Sequence, residues 1–374
     1  MQFDLSTEQK LLKEAARTLF QRQCPASRVR ELIETEDAFD AALWKKYSDQ
    51  GWTGLILPET YEGLELGVVD LAVLMEEMGR ACVPGPFLST VCAGVLLYDL
   101  AENDLAGSLL KNVAAGQARP SVALHESAPS WNLRSVGMEL ERGAGSIRLD
   151  GKKTLVGGGA SAGQTILCVV RDETELAVAL IPASRDGVQV RVTPSIDRTR
   201  PLGEVVFENV VVKEDDIIGR GGSVESALAR MFQLGSVILC ADMVGGMQWM
   251  MEAAVEYAKT REQFGRPIGA YQMVQMQCAD MLLMLESARS ATYYAAWALN
   301  ERDPAAERAV SMAKAYCSDV CREVGHRSIQ VHGGIGFTWE HDLHLYYKRA
   351  KASELMFGDA TFHREQLAES LLDA

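Results

Sequence analysis

The sequence predicts an α+β protein in three consecutive parts: a helical N-terminal domain over residues 1–118, a small central β-domain (a barrel or sandwich) over residues 119–222, and a C-terminal four-helix bundle over residues 223–374. Two changes of hydrophobic period predict these bounds. Helical spacing gives way to short β-branched runs at Arg119 and Pro120, and it returns after residues 219–222. At 374 residues the chain is long enough to bury substantial cores in two or three such parts.

The N-terminal part reads as a series of helices. Ser6 can cap the first one, since Gln9 stands three residues further on and apolar periodicity continues to Phe20. Residues 68–82 carry apolar side chains at helical spacing, with paired acids on the other face. A Pro-Gly-Pro run then breaks the pattern, and further helices are expected over residues 87–100 and 104–113.

The central and C-terminal parts differ in the length of their apolar segments. Six short runs, rich in β-branched residues and bounded by Gly, Asp or Pro, predict strands. These runs are residues 121–124, 146–149, 165–170, 176–181, 188–192 and 205–212. The C-terminal part then predicts four long helices, over about residues 223–260, 272–300, 304–331 and 341–372.

Charge and cysteine usage narrow the classes of function. The formal net charge of −14 argues against a nucleic-acid partner, although local cations could still bind a nucleotide tail. Residues 1–6 lack a signal-peptide pattern, and we expect no apolar run to approach the roughly 20 residues that span a bilayer, so the sequence predicts a cytoplasmic protein without a membrane partner. Cys317 and Cys321 share a helix face, but no second pair matches them, so we expect buried small hydrophobes and no metal.

Two polar segments between the C-terminal helices carry the main functional signal. In residues 261–272 a cation and an amide flank a turn, and in residues 330–340 an amide precedes the pair Gly333 and Gly334. A glycine pair lets backbone N–H groups approach a ligand closely, so the combination suits a diphosphate. Considered alone, the same residues also fit an ordinary loop junction and a plain helix end.

Together the two segments resemble the Arg-x-x-Phe-Gly-x-Pro-Ile and Gln-x-x-Gly-Gly-x-Gly segments of the acyl-CoA dehydrogenase family. The resemblance extends to residues 57–67, 75–80 and 347–351, and so covers essentially the whole chain. It implies that the two segments grip the ADP portion of an FAD held mainly by a neighbouring subunit. The residues that match are Arg261, Phe264, Gln272, Gln330, Gly333 and Gly334.

The catalytic base of this family is missing from both of its known positions. In the family a glutamate takes the α-proton of an acyl-CoA thioester while a hydride leaves the β-carbon for the flavin. Counting from Tyr347 places Phe357 at the commoner position, and anchoring on Arg261 places Gly235 at the other, where Ser236 replaces a common Arg. No catalytic residue is therefore assigned.

Three nearby acids could substitute for the missing base, namely Asp359, Asp242 and Glu354. Each is more simply a solvated or helix-surface carboxylate. The alternative of a displaced base therefore stays open at the level of the sequence.

The resemblance also indicates that the flavin-ring contacts are eroded. Residues 125–132 replace the family's Thr-Glu-Pro-x-Ala-Gly-Ser-Asp segment, and residues 153–159 replace Lys-x-Trp-Ile-Thr-Asn-Gly, so that Leu155 and Gly157 lose an aromatic surface and a hydroxyl. His125 could act as an acid or base, but a partly exposed histidine at a strand end is simpler. Trp131 could be a relocated ring-stacking residue or, more simply, a rim aromatic.

These losses suggest the non-catalytic member of a heteromeric α2β2 acyl-CoA dehydrogenase, as in enzymes of steroid side-chain degradation. Its partner would be a homologous catalytic subunit with which it shares FAD, the substrate an acyl-CoA, and the electron acceptor an electron-transfer flavoprotein. One alternative is a homotetramer with a displaced base. The other is a non-enzymatic subunit for acyl-CoA binding or assembly.

Overall fold

The computed structural model describes residues 4–101, 103–127, 130–143, 145–158 and 164–372. Residues 1–3, 128–129 and 159, which entered the predictions above, lie outside this range. The chain packs as two compact units. One comprises Met1–Arg30, Val68–Val83 and Ser236–Ala374, and the other Glu31–Gly67 and Pro84–Gly235. The predicted three-domain bounds divide the chain differently and stay a prediction.

Six helices occupy the N-terminal third: α1 Thr7–Gln23, α2 Ala26–Leu32, α3 Ala41–Ser48, α4 Val68–Arg80, α5 Phe87–Asp99 and α6 Asp104–Ala114. The predicted capping box is present in α1, where Ser6 Oγ accepts from Gln9 N at 3.2 Å and Gln9 Oε1 accepts from Ser6 N at 3.0 Å. The sequence prediction missed α2 and α3, since both are too short to show a clear period.

The β-domain consists of two four-stranded sheets. In chain order the strands are β1 Ser121–Ala123, β2 Leu140–Gly143, β3 Ser146–Gly157, β4 Thr165–Asp172, β5 Glu175–Pro182, β6 Val188–Thr193, β7 Leu202–Val212 and β8 Ile217–Arg220. The sheet orders are β1-β4-β5-β8 and β2-β3-β7-β6. Buried residues of both sheets, such as Cys168 and Phe207, share one hydrophobic core, so the domain is a sandwich.

Strands β2 and β8 were not predicted, because β2 is mostly polar and β8 is short and ends in Gly219 and Arg220. Strand β3 is much longer than predicted. Its pairing with β7 shifts register twice, and the second shift falls between Lys153 and Val156, where Leu155 has a φ of 54°. These irregularities interrupt the alternation that sequence patterning relies on.

The C-terminal region consists of α7 Gly222–Thr260, α8 Gln272–Asn300, α9 Ala306–His332, α10 Leu343–Leu355 and α11 Ala360–Leu372. The prediction of one helix over residues 341–372 is therefore wrong. Met356 is extended, and the φ values of Phe357 and Gly358 are 57° and 95°, so the helix stops there. The side chain of Asp359 then accepts from Phe362 N at 2.8 Å and starts α11.

Helices α4 and α7 cross at a reciprocal pair of glycines. A Cβ on Gly79 would lie 2.0 Å from Asp242 O, and one on Gly245 would lie 1.9 Å from Glu76 O. Only glycine allows the two backbones to approach so closely.

Helix α7 is also long and apolar enough to cross a membrane by length and composition, which corrects our expectation that no segment would be. Of its most apolar window, 78% is buried inside the protein, as in the core helix of a folded domain.

Candidate functional site

The first predicted segment forms a tight β-hairpin directly after α7. Strands β9 Glu262–Gln263 and β10 Arg266–Pro267 pair in antiparallel register around a two-residue turn. The turn residues Phe264 and Gly265 have φ values of 53° and 78°, and positive φ at both central positions is what a type I′ turn needs. A bulky residue rarely adopts this conformation, so the backbone at Phe264 is strained.

The hairpin holds its aromatic side chain outward. Phe264 is 92% exposed, and its ring meets that of Tyr271 edge to face, at a centroid distance of 6.4 Å. Tyr271 in turn lies 4.2 Å below the guanidinium of Arg266 and donates a hydrogen bond to Gln263 O at 3.0 Å. The turn is thus braced from its own segment, while Phe264 stays available to another molecule.

The second predicted segment follows α9. Gly333 ends this helix with φ 64° and ψ −141°, a combination open to glycine and strained for other residues. Apart from its chain neighbours, no atom of the described residues would lie within 4 Å of a Cβ on Gly333 or on Gly334. Beside this open backbone, Phe337 and Trp339 are 77% and 65% exposed. The segment therefore presents uncovered backbone and aromatic surface, as a site for a ligand shared with another chain requires.

The polar residues of both segments are also uncovered. Arg261, Gln272 and Gln330 are exposed, and within the described residues no carboxylate makes an ion pair with Arg261. An exposed guanidinium of this kind suits a diphosphate, whereas the backbone N–H of Gly333 already donates to Ile329 O at the end of α9. These residues fit the ADP part of a dinucleotide.

The structure brings the starts of the two segments close together. Tyr257, one turn before Arg261, stacks on His332, the residue before Gly333, with ring centroids 4.7 Å apart. Among the described residues, no side-chain hydrogen bond directly joins residues 261–272 to residues 330–334. The aromatic pair was not predicted from the sequence, although His332 lies inside the segment that was singled out.

Phe357, which stands at the first position of the missing base, lies in the break between α10 and α11. The carbonyl oxygen of Phe357 accepts a hydrogen bond from His363 Nε2 at 2.9 Å. Burial, and next the nearby Lys314, lowers the pKa of His363 to about 4, so this imidazole is neutral at pH 7. Phe357 thus marks a helix stop and brings no carboxylate to the site.

A buried lysine that the sequence prediction missed stabilises the same break. Lys314 is 0% exposed, and its Nζ donates to Ser318 Oγ at 3.0 Å, Glu354 O at 3.0 Å and Gly358 O at 2.7 Å. Burial lowers its pKa. Three acceptors match its three N–H donors, and the helix-end carbonyl at Glu354 would otherwise lack a partner. The only signal in the sequence was a lysine at an apolar position of α9.

The second base position is closed by helix packing. Gly235 and Ser236 are buried inside α7, and Ser236 is 2% exposed. Neither side chain can accept a proton from a thioester, as predicted from their chemistry.

The three substitute acids are all engaged in the folded chain. Asp242 is 2% exposed and forms a two-point ion pair with Arg349, at 2.6 and 3.1 Å. Glu354 accepts from Arg322 at 2.7 Å and from Lys351 at 2.8 Å. The expectation of solvated or surface acids is wrong for Asp242 and Glu354, since both are buried. Asp359 caps α11, as described above.

The strand that should carry flavin-ring contacts is held by internal polar bonds. Lys153 is 0% exposed and donates to Glu126 Oε1 at 2.7 Å and to Leu124 O at 3.2 Å. A Cβ on Gly157 would lie 2.9 Å from the Cβ of Ser89, so a threonine there would clash. This part of the chain does not fit an isoalloxazine held in the way the family holds it.

His125 and Trp131 pack together in the β-domain. Their rings meet edge to face at 4.5 Å, and Trp131 meets Phe232 in the same way at 5.7 Å. His125 is only 8% exposed, so the expectation of a partly exposed histidine is wrong. Burial lowers its pKa, and its Nδ1 has no partner in the described part of the chain. The stack fills space with side chains and leaves His125 neutral at pH 7.

Neither cysteine of the i,i+4 pair is exposed. Cys317 and Cys321 are 0% and 1% exposed, and the Cys317 sulfur lies 3.4 Å from Thr292 Oγ1. A search of the described residues for groups of three metal-ligating side chains found none.

Comparison with known proteins gives the same family across most of the chain. Residues 6–117 match the model of the acyl-CoA dehydrogenase N-terminal domain, and residues 224–372 match that of the acyl-CoA dehydrogenase C-terminal domain. The chain is 28% identical over 364 residues to the acyl-CoA dehydrogenase IpdE2 of Mycolicibacterium smegmatis, with 97% of each chain covered.

Two solved structures are similar over nearly their whole length. The first is a variant of the Tcur3481-Tcur3483 steroid ACAD, with 27% identity, 98% of each chain covered and a TM-score of 0.86. The second is the ChsE4-ChsE5 complex from Mycobacterium tuberculosis, with 25% identity, 100% of each chain covered and a TM-score of 0.88.

Proposed function

This chain belongs to the acyl-CoA dehydrogenase family, and from that premise we propose that it is the non-catalytic subunit of a heteromeric flavin-dependent acyl-CoA dehydrogenase. In this role it completes the FAD site of a homologous catalytic partner, and the pair carries out α,β-dehydrogenation of an acyl-CoA thioester. Similarity to the Tcur3481-Tcur3483 steroid ACAD and to the ChsE4-ChsE5 complex supports both a partner subunit and a bulky, steroid-type CoA ester.

One contrast carries the proposal. The residues that fit ADP are uncovered, with Phe264 92% exposed and, beyond chain neighbours, no described atom within 4 Å of a Cβ on Gly333 or Gly334. The two base positions, Phe357 and Gly235, instead belong to a helix stop and a buried helix. A chain that acted alone would need both halves of the site. A chain that completes a partner's site needs only the open one.

The residues of the open half have separate roles in this proposal. When bound, FAD supplies the hydride acceptor of the dehydrogenation. Arg261 would place a cation at the diphosphate, and the open space at Gly333 and Gly334 would let the ligand approach the backbone closely. The amides of Gln272 and Gln330 would hydrogen-bond the polar edge of the ADP portion. The partner would supply the catalytic glutamate, and an electron-transfer flavoprotein would be the electron acceptor of the complex.

The alternative of a self-sufficient homotetramer needs a displaced base, and the structure gives that alternative little support. Asp242 is buried in its ion pair with Arg349, Glu354 is paired with Arg322 and Lys351, and Asp359 caps a helix. Carboxylates held in ion pairs or in a helix cap are not free to move with a substrate proton.

Flavin stoichiometry tests the proposal. The chain would be expressed alone and together with an acyl-CoA dehydrogenase-like gene next to its own, and FAD would be counted against protein by absorbance. We expect no flavin on the chain alone and about one FAD per two chains in the complex, because one of two sites is complete. One FAD per chain on this protein alone would refute the proposal and return attention to Asp242, Glu354 and Asp359.

An activity assay distinguishes the proposed function from a third possibility, a non-enzymatic subunit that binds acyl-CoA or assists assembly. This third possibility predicts acyl-CoA affinity without reduction of flavin or of an electron acceptor by any combination of chains. The proposed function predicts that the co-expressed pair reduces an acceptor dye with acyl-CoA, while neither chain does so alone.

A further inference from the structure

We propose that His332 is a positioning residue that joins two segments, the hairpin segment that leads from α7 into α8 (residues 261–272) and the glycine segment at the end of α9 (residues 330–334). The two segments then open and close as one body. This inference rests on the proposed function, since these segments are the ones assigned to the ADP portion of a shared FAD. His332 itself touches no ligand in this proposal.

The position of His332 is the first reason. It is the last residue of α9 and is 3% exposed, and the chain enters the open backbone of Gly333 directly after it. Its ring stacks on Tyr257 of α7, with centroids 4.7 Å apart and the planes inclined by 28°. Tyr257 lies in the last turn of α7, and its carbonyl accepts from Arg261 N at 2.8 Å. The contact between these two rings thus links the end of α7, just before Arg261, to the end of α9, just before Gly333.

Hydrogen bonds fix the orientation of the ring. His332 Nδ1 lies 2.8 Å from Ser328 O, and because a carbonyl only accepts, Nδ1 carries the proton. Ser328 Oγ donates in turn to Met250 O on α7 at 2.8 Å. The ends of α7 and α9 are therefore fastened at two levels, by Ser328 one turn inside the helix and by His332 at its end.

A second histidine ring also packs against His332. His341 lies 4.5 Å from His332 between ring centroids, and His332 Nε2 has no hydrogen-bond partner in the described part of the chain. A proton added at Nε2 would thus be buried, without an acceptor, beside another imidazole. Beyond His341 lie Asp342 and Arg30, which pair at 2.7 Å and so largely neutralise each other.

These surroundings predict a response to pH. Burial, and to a lesser extent His341, lowers the pKa of His332, while its bond to Ser328 O acts in the opposite direction. Because the pKa in the folded protein is lowered, the contact with Tyr257 is at full strength above the ordinary histidine pKa of about 6.5. It weakens as the pH falls below that value and through the folded pKa.

The test follows amide hydrogen exchange of residues 261–272 and 330–338 in the full chain from pH 8 to pH 5, corrected for intrinsic exchange rates. We expect the protection of both segments to fall together below about pH 6.5. The variant His332→Asn keeps an N–H for Ser328 O but does not titrate, so it should flatten the response in both segments. His332→Phe keeps the ring contact but loses the donor, and should lower protection roughly fivefold at every pH.

The matched control is His326→Asn. His326 is an exposed histidine on the same helix, and its Nε2 lies at hydrogen-bond distance, 2.7 Å, from Tyr347 Oη. This variant should reproduce the wild-type profile. The inference is overturned if the two segments lose protection at different pH values, or if His332→Asn titrates like the wild type.

The exchange experiment uses the chain without flavin, so its outcome is independent of the flavin stoichiometry that tests the proposed function. Coupled exchange in a chain that never forms a flavin-bearing complex would refute only the proposed function. A complex with one FAD per two chains whose segments open independently would refute only the role of His332.

Discussion

Two loops at helix ends differ in what occupies the space around them. After α9, a Cβ on Gly333 or Gly334 would meet no described atom within 4 Å beyond its chain neighbours. After α10, a Cβ on Gly358 would lie 2.3 Å from the ring of Phe362, and the carbonyls of Phe357 and Gly358 are bonded to His363 and Lys314. The first segment thus leaves open space beside its glycines, whereas the second is filled and hydrogen-bonded from within the chain.

Under the proposed function, the difference separates a part of the site that is kept from a part that the fold has closed. Had the whole site decayed, exposed backbone and a strained aromatic such as Phe264 would have no reason to persist, because they contribute little to stability. Internal hydrogen bonds instead hold the segment around Phe357 and the strand around Lys153.

The closed loop should depend on its buried lysine. Lys314→Met removes the donor to two backbone carbonyls, and leaving buried acceptors unsatisfied should lower the free energy of unfolding by about 3 kcal/mol. Urea unfolding measures the change. Lys10→Met is the control, since Lys10 is exposed and pairs only with exposed Asp4, and its effect should stay within about 0.5 kcal/mol. Equal effects for both variants would mean that Lys314 does not stabilise the break.

Strand β3 should be destabilised when the missing hydroxyl is restored at Gly157. Gly157→Thr forces a Cβ to within 2.9 Å of Ser89 Cβ, and such overpacking should lower the free energy of unfolding by about 2 kcal/mol. Adding Ser89→Gly should recover at least half of the loss in a double-mutant cycle followed by thermal unfolding. Strictly additive effects would show that Ser89 is not what closes this position.

The open loop should tolerate a side chain that its ligand does not. A Cβ on Gly334 would meet no described atom within 4 Å beyond its chain neighbours, so the unfolding midpoint of Gly334→Val should change little. In the complex the added side chain occupies the space assigned to ADP, and FAD should bind about tenfold more weakly, which corresponds to about 1.4 kcal/mol. Flavin titration followed by fluorescence measures this, with Gly222→Val as the control because Gly222 is equally open. Unchanged FAD affinity would remove Gly334 from the site.

The smallest effect is expected from returning a carboxylate to the base position. Phe357→Glu in the chain alone should give no acyl-CoA-dependent reduction of an acceptor dye, because a base without a flavin ring beside it has no hydride acceptor. The assay would use CoA esters from short acyl chains to steroid side chains. Any reduction above that of the wild type would show that the closed half still holds a flavin.

The sequence by itself determined the features that depend on neighbours in the chain. The capping box of Ser6 and Gln9, the β-branched strands and the glycines of the two functional segments are short-range codes. The match of residues 6–117 and 224–372 to the family models agrees with the resemblance drawn from those segments.

Only the tertiary structure decided the features that depend on distant residues. Gly358 and Asp359 are local signals for a helix end and a new start, but the stop at Phe357 is stabilised by Lys314 and His363, which lie on other helices. The contact between Tyr257 and His332 joins residues 75 positions apart, so it exists only after α7 and α9 have packed. The physical reason is that burial, which sets these contacts and lowers the pKa of His332, is a property of the whole fold.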